Sequence, residues 1–174
     1  MAELTFRAAT PADVPAVVAL VESAYRGDSS RRGWTTEADL VDGSRTSEED
    51  VLATILRPRS RIVLAEHDGA LLACAHVADD GDAGYFGLFS VRPDLQGAGI
   101  GKAVMSEAER VAHEEWGLPI MRMTVIDVRQ ELIAFYQRHG YRRTGEVKPF
   151  PYGNARVGQP RRDDLQFAIL EKRW

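Results

Sequence analysis

Disulfides are out of reach for this chain, because its 174 residues include a single cysteine, Cys74, set in the apolar stretch GALLACAHV. One thiol makes no internal disulfide and no cysteine-based zinc site, and a small buried residue is the role its setting implies. Positive charge is not in surplus either. Lys and Arg number 22 against 26 Asp and Glu, a formal net charge of -4, and the arginines are dispersed rather than gathered in a stripe. Phosphate-backbone binding therefore lacks global electrostatic support, and no nucleic-acid partner is expected. The N-terminal MAELTFRAAT has no basic region followed by an apolar core, and no stretch approaches the ~20 apolar residues of a membrane span. A cytoplasmic protein without a membrane partner is expected. His67, His76, His113 and His139 fall on different elements without ligand spacing, so neither a metal site nor a catalytic triad is expected.

What is present is globular. Hydrophobic residues make up 44% and charged residues 28%, and this length suits a single domain over 1–174 with a sizeable core. ELTFRAA reads as a strand. Thr10 then caps a helix with Pro11 at its first position, and Val14, Val17, Val18, Val21 and Tyr25 recur at helical spacing. Arg26 to Thr46 is polar and aperiodic, too long for an idle connection, and reads as a functional loop. Ser47 caps a second helix with Val51, Leu52, Ile55 and Leu56 as its apolar face, closed by Pro58.

RIVLAEHDGALLACAHVADD is two apolar runs around Asp68-Gly69, a strong hairpin signal. GYFGLFSV is a third run, stopped by Pro93. Ile100, Ala103, Val104, Ala108, Val111 and Ala112 then keep helical spacing to about Trp116. PIMRMTVI alternates as a strand with Met121, Met123 and Val125 on one face. A helix over about Glu131 to His139 ends at Gly140, with His139 favoured there by the helix dipole, and YRRTGE and LQFAILEK supply the last strands. The order is β-α-α-β-β-β-α-β-α-β-β, an α/β (α+β) chain with a mixed sheet.

Three glycines in DLQGAGIGKA pose the functional question. A P-loop needs GxxxxGK followed by Ser or Thr, but Gly101-Lys102 is followed by Ala103, and Gln96 stands five before Gly101. A dinucleotide fingerprint would put its last glycine where Lys102 stands. What remains is a strand, a turn, and a backbone with little side-chain cover entering a helix N-terminus, which suits an anion such as a pyrophosphate.

The stretch Gln96-Gly97-Ala98-Gly99-Ile100-Gly101 resembles the acetyl-CoA signature of the GNAT superfamily of N-acetyltransferases, Gln/Arg-x-x-Gly-x-Gly/Ala, and the element order across nearly all of the chain is similar to that fold. The resemblance implies the GNAT acyl-CoA N-acyltransferase fold, acetyl-CoA as co-substrate without a metal, and a pyrophosphate held by Gln96, Gly97, Ala98, Gly99, Ile100, Gly101 and Lys102. It also implies that Phe89, Ser90 and Val91, on a splayed or bulged strand, meet the pantetheine arm. RQELIAFYQRHGYRRTGE resembles the family's second signature, with Tyr136 where many members keep a general acid. Arg129, seven residues before Tyr136, stands where many members carry an asparagine that contacts the cofactor arm, which makes it a further cofactor-binding candidate.

Acyl transfer from a thioester to an amine needs donors for a developing oxyanion, an unprotonated amine, and a proton for the thiolate. Tyr136 is the expected proton donor; its structural alternative is a packing tyrosine beside Leu132 and Phe135. GYFGLFSV holds no carboxylate to act as base. Glu37, Asp39 and Asp42 in the long loop are weak candidates, and an amine arriving neutral needs none. The acceptor side is expected around Tyr25, Arg31, Arg32, Trp34, Phe150 and Tyr152, because aromatics with arginines suit a small amine that also carries a carboxylate or phosphate, or a peptide N-terminus. Two other readings stand beside transfer of acetyl: transfer of a longer acyl group, and a CoA-binding regulatory module without transfer. Exposed strand edges make a homodimer a reasonable expectation.

Overall fold

A computed structural model describes residues 3–25, 41–42, 46–95, 99–149, 159–160 and 165–174. Nine strands and four helices alternate along these residues. They are β1 (Thr5–Ala8), α1 (Val14–Tyr25), β2 (Val41–Asp42), α2 (Glu48–Leu56), β3 (Ser60–His67), β4 (Ala70–Asp79), β5 (Gly84–Val91), α3 (Ile100–Arg110), β6 (Ile120–Ile126), α4 (Gln130–Arg138), β7 (Arg142–Pro149), β8 (Gln159–Pro160) and β9 (Gln166–Arg173). Seven strands form one sheet in the order β1-β3-β4-β5-β6-β9-β7, and β2 pairs with β8 in a separate two-stranded sheet. The mixed α/β class and the order of the long elements agree with the sequence reading. The β2–β8 ladder was not expected, and neither was the last strand lying between β6 and β7.

Local chemistry explains several boundaries. Thr10 and Asp13 form a capping box over a 3-10 turn, Pro11–Asp13, that leads into α1. The Asp50 N–H donates to the Ser47 hydroxyl at the start of α2. Asp68 and Gly69 both hold positive φ, 50° and 80°, the backbone that a two-residue hairpin turn demands. Past α3 the chain continues as one π turn, Val111–Glu115.

The apolar faces sort into two layers. Val17, Val21, Tyr25 and Val51 cover Ile62, Leu64 and Cys74 on one face of the sheet. Val104, Met105, Ala108, Leu132, Ile133 and Tyr136 cover Val63, Ala75, Phe86, Met121, Met123 and Leu170 on the other. Helix α2 departs from expectation, burying Val51 while Leu52 and Leu56 stay exposed. In β9, Ile169 and its neighbours Ala168 and Leu170 are all buried. Cys74 is fully buried, and burial pushes its thiol up to about 12.

Candidate active site

β5 and β6 run parallel, but their ladder holds only Gly84 with Met121 and Tyr85 with Arg122. β5 continues to Val91 and β6 to Ile126 without pairing, so the sheet opens into a split between them. The register of β5 against β4 also shifts between Cys74 and His76, and Leu88 holds φ 49°, which marks a bulge at the level of the split. The Leu88 carbonyl accepts from the Ser90 hydroxyl at 3.0 Å and meets the Cys74 sulfur at 3.7 Å. The apolar run by itself gives no sign of this bulge, which only the family resemblance implied.

Phe89, Ser90 and Val91 lie on this stretch with their side chains buried. A ligand in the split therefore meets their backbone. The Phe89 ring stacks on Phe135 at 6.2 Å and approaches Tyr136 at 6.1 Å. On its other side lies Gly101, where a Cβ would come within 2.9 Å of Phe89 Cζ. Glycine at 101 is what lets the first turn of α3 touch β5.

Gly99 caps α3 in a left-handed conformation, φ 83°, with no side-chain cap bond. Ile100 is buried and Lys102 is exposed. The first-turn amides of α3 and the positive end of its dipole thus stand beside the bulge. Gln96, Gly97 and Ala98 lie outside the described residues.

Tyr136 is buried in an aromatic group, with ring centroids 6.3 Å from Phe86, 5.6 Å from Phe135 and 6.0 Å from Tyr141. The Tyr141 hydroxyl donates to Glu109 at 2.8 Å, and Lys172 pairs with the same carboxylate at 3.0 Å. Burial, with the Glu109 charge, raises the Tyr141 phenol far above its ordinary range. This clamp ties α3 to β9 and to the start of β7.

Two residues expected on different sides of the site meet each other. The Tyr25 hydroxyl, at the end of α1, donates to the Phe89 carbonyl, and the Arg129 guanidinium lies 5.7 Å from the Tyr25 ring centroid. Arg129 is the N-cap residue of α4, so the contact bridges the split from the β6 side to α1. Tyr25 is buried. Arg31, Arg32, Trp34, Glu37, Asp39, Phe150 and Tyr152 lie outside the described residues; Asp42 is the second residue of β2. At the far end of β6, Asp127 accepts from Gln166 at 2.8 Å. Among the described residues, no cluster of three or more His, Cys, Asp or Glu could hold a metal ion, and no helix is long and apolar enough to cross a membrane.

This arrangement, a parallel pair parting beside a bulged strand and an uncapped helix N-terminus, has counterparts among known proteins. Residues 58–143 match the model of the acetyltransferase (GNAT) domain. The chain belongs to the GNAT superfamily and is an acyltransferase of that type. Solved structures share the fold over nearly the whole chain. The ribosomal-protein-S18-alanine N-acetyltransferase of Escherichia coli is 16% identical, with a TM-score of 0.70 over 98% of this chain and 94% of that one. A spermidine N-acetyltransferase SpeG chimera from Vibrio cholerae and hSSAT is 14% identical, with a TM-score of 0.69 over 98% and 95%. YncA from Salmonella typhimurium, solved with its cofactor acetyl-CoA, is 18% identical, with a TM-score of 0.68 over 98% and 94%. No curated protein sequence matches significantly.

Proposed function

We propose that this chain moves the acetyl group of acetyl-CoA to a primary amine, of a small molecule bearing a carboxylate or phosphate or of a peptide N-terminus, by direct attack. The observation that carries the reading is the adjacency of three features: the Leu88 bulge at the split, the uncapped N-terminus of α3, and Tyr136 at 6.1 Å from Phe89. The residues present fit the cofactor. A left-handed Gly99 and a Gly101 without room for a Cβ leave main-chain N–H groups uncovered, and a pyrophosphate is what such groups hold. Acetyl-CoA, when bound, supplies an acyl thioester.

The chain supplies the rest. Gln96 to Gly101 hold the diphosphate through amides, with Lys102 adding charge. The backbone of Phe89, Ser90 and Val91 binds the pantetheine arm and orients the carbonyl. Tyr136 gives its hydroxyl proton to the departing thiolate. Tyr25, Arg31, Trp34, Phe150 and Tyr152 line the acceptor side, and Arg129, over Tyr25, belongs to the wall shared with the cofactor. A single cytoplasmic domain of 1–174, acting as a homodimer, completes the proposal.

The test is release of free CoA thiol over a panel of amino acids, polyamines, aminoglycosides and peptides. Tyr136→Phe lowers kcat about a hundredfold and changes the KM for acetyl-CoA little; an unchanged kcat removes Tyr136 from the chemistry. Tight CoA binding by calorimetry without thiol release for any acceptor would favour a regulatory module instead.

A further inference from the structure

The face of β6, β9 and β7 turned away from α3 and α4 carries more cations than carboxylates. Arg142, Lys148 and Arg173 make no ion pair among the described residues, nor does Arg143, which stands opposite Leu170 yet lines the same hollow as Arg142, whereas Arg122 pairs with Glu171 at 2.7 Å. Two adjoining hollows of about 270 and 280 Å³ lie on this face, sharing Thr144 and Glu171. Their floors are apolar, Ile120 in one and Ile169 in the other, and around them Arg122, Arg142, Arg143, Lys148 and Arg173 outnumber the two carboxylates, Glu146 and Glu171. All of β7 is exposed. This concentration of positive charge stands on a chain whose net charge is -4.

The cations follow a line that starts at the split. Lys148 pairs across to Phe167, which pairs with Ile126 at the open end of β6. Arg142 pairs with Glu171, and Arg173 with Ile120 at the other end. β7 bulges between Arg143 and Val147, so Arg142 and Lys148 face β9 residues only four apart, Glu171 and Phe167, roughly 13 Å, and crossing from β6 to β7 adds roughly 10 Å. An extended polypeptide covers these distances in about seven residues. Shallow, exposed hollows with cations strung along a strand suit an extended chain better than a small enclosed anion.

We infer that this face docks an acidic stretch of the acceptor, a polypeptide whose N-terminal amine enters the split and whose residues at about positions four to seven carry Asp or Glu. The inference rests on the transfer reading above and narrows its acceptor to a peptide chain. Lys and Arg on an edge strand also deter pairing between copies, but that role requires no preference for any ligand.

Docking is measured apart from transfer, with an N-acetylated, dye-labelled decapeptide bearing Asp or Glu at positions four to seven, read by fluorescence anisotropy on the full chain. The acidic peptide binds at least tenfold more tightly than its serine counterpart, and binding weakens as salt rises from about 50 to about 300 mM, because the Debye length, about 10 Å at 0.1 M, shortens and screening strengthens. Arg142→Glu with Arg173→Glu weakens it at least tenfold, while Arg138→Glu, exposed at the end of α4, leaves it as it was. Equal binding of the serine peptide, indifference to the double reversal, or an equal loss in Arg138→Glu overturns the inference. So does a single-stranded oligonucleotide that competes better than the acidic peptide. Because the labelled peptide has no free amine, its binding is read whether or not thiol release supports transfer.

Discussion

The two halves of the main sheet solve the same problem differently. β3, β4 and β5 lie under α1 and α2 on one face and α3 on the other, and the charges along that half are paired. Arg7 meets Asp13 and Glu66 at 2.8 Å, Arg59 meets Asp79, and Arg61 and Arg110 share Glu115. In the other half the described helices cover one face, and Arg142, Arg143, Lys148 and Arg173 lack carboxylate partners among the described residues. The covered half pairs its charges internally, whereas the open half pairs Arg122 and Lys172 and leaves these four cations without a carboxylate among the described residues. Sequence texture follows: β4 reads ALLACAHVAD and β7 reads RRTGEVKP, as burial on two faces and on none requires.

The largest effect that tests this contrast is a paired truncation. Leu64→Ala, in the covered half and 1% exposed, costs about 2–5 kcal/mol in urea unfolding, and Val147→Ala, 54% exposed in the open half, changes stability by less than about 0.5 kcal/mol. Similar costs at the two positions would dissolve the distinction.

Next comes acid. His76, buried in β4 with Ser60 at 2.8 Å and edge-on to Tyr85, is held down to about 4 by burial and by the Arg57 charge. In the unfolded chain it titrates near ~6.5. The folded state therefore favours neutral imidazole. The stability this contributes is whole above about 6.5 and is lost as pH falls toward about 4, amounting to up to about 3 kcal/mol. His76→Gln flattens that part of the Tm-against-pH curve, and a slope unchanged by the substitution would assign the sensitivity to another group.

The smallest effect is at the join between the halves. Tyr25→Phe removes the donor to the Phe89 carbonyl at a cost of about 1 kcal/mol, and the loosened bulge raises the KM for acetyl-CoA more than it lowers kcat. Steady-state kinetics showing the opposite split would place Tyr25 in the chemical step.

Legibility in the sequence tracked how local each feature is. Thr10, Ser47 and the Asp68-Gly69 turn act within a few residues, and each marks its element correctly. The glycine run pointed to an anion cradle because a bare helix N-terminus is itself local, and resemblance supplied the cofactor. Features made by distant partners were silent. Nothing in LQFAILEK says that it enters between β6 and β7, and nothing in GLFS says that Leu88 adopts positive φ. Arg129 was expected to contact the cofactor, and its contact with a tyrosine about a hundred positions earlier, brought near only when the sheet closes, is one that the sequence does not show. Leu52 and Leu56 mislead for the opposite reason: their spacing is helical, but the fold brings no surface to meet them.

The hydrogen bond from Tyr25 ends on a main-chain oxygen, and every amino acid offers that oxygen. Drift at position 89 can alter the ring that fills the core without erasing the link, whereas one nucleotide change that takes the hydroxyl from position 25 erases it at once. The joint between helix and bulge thus has a lopsided inheritance, indifferent to one of its two codons and dependent on the other.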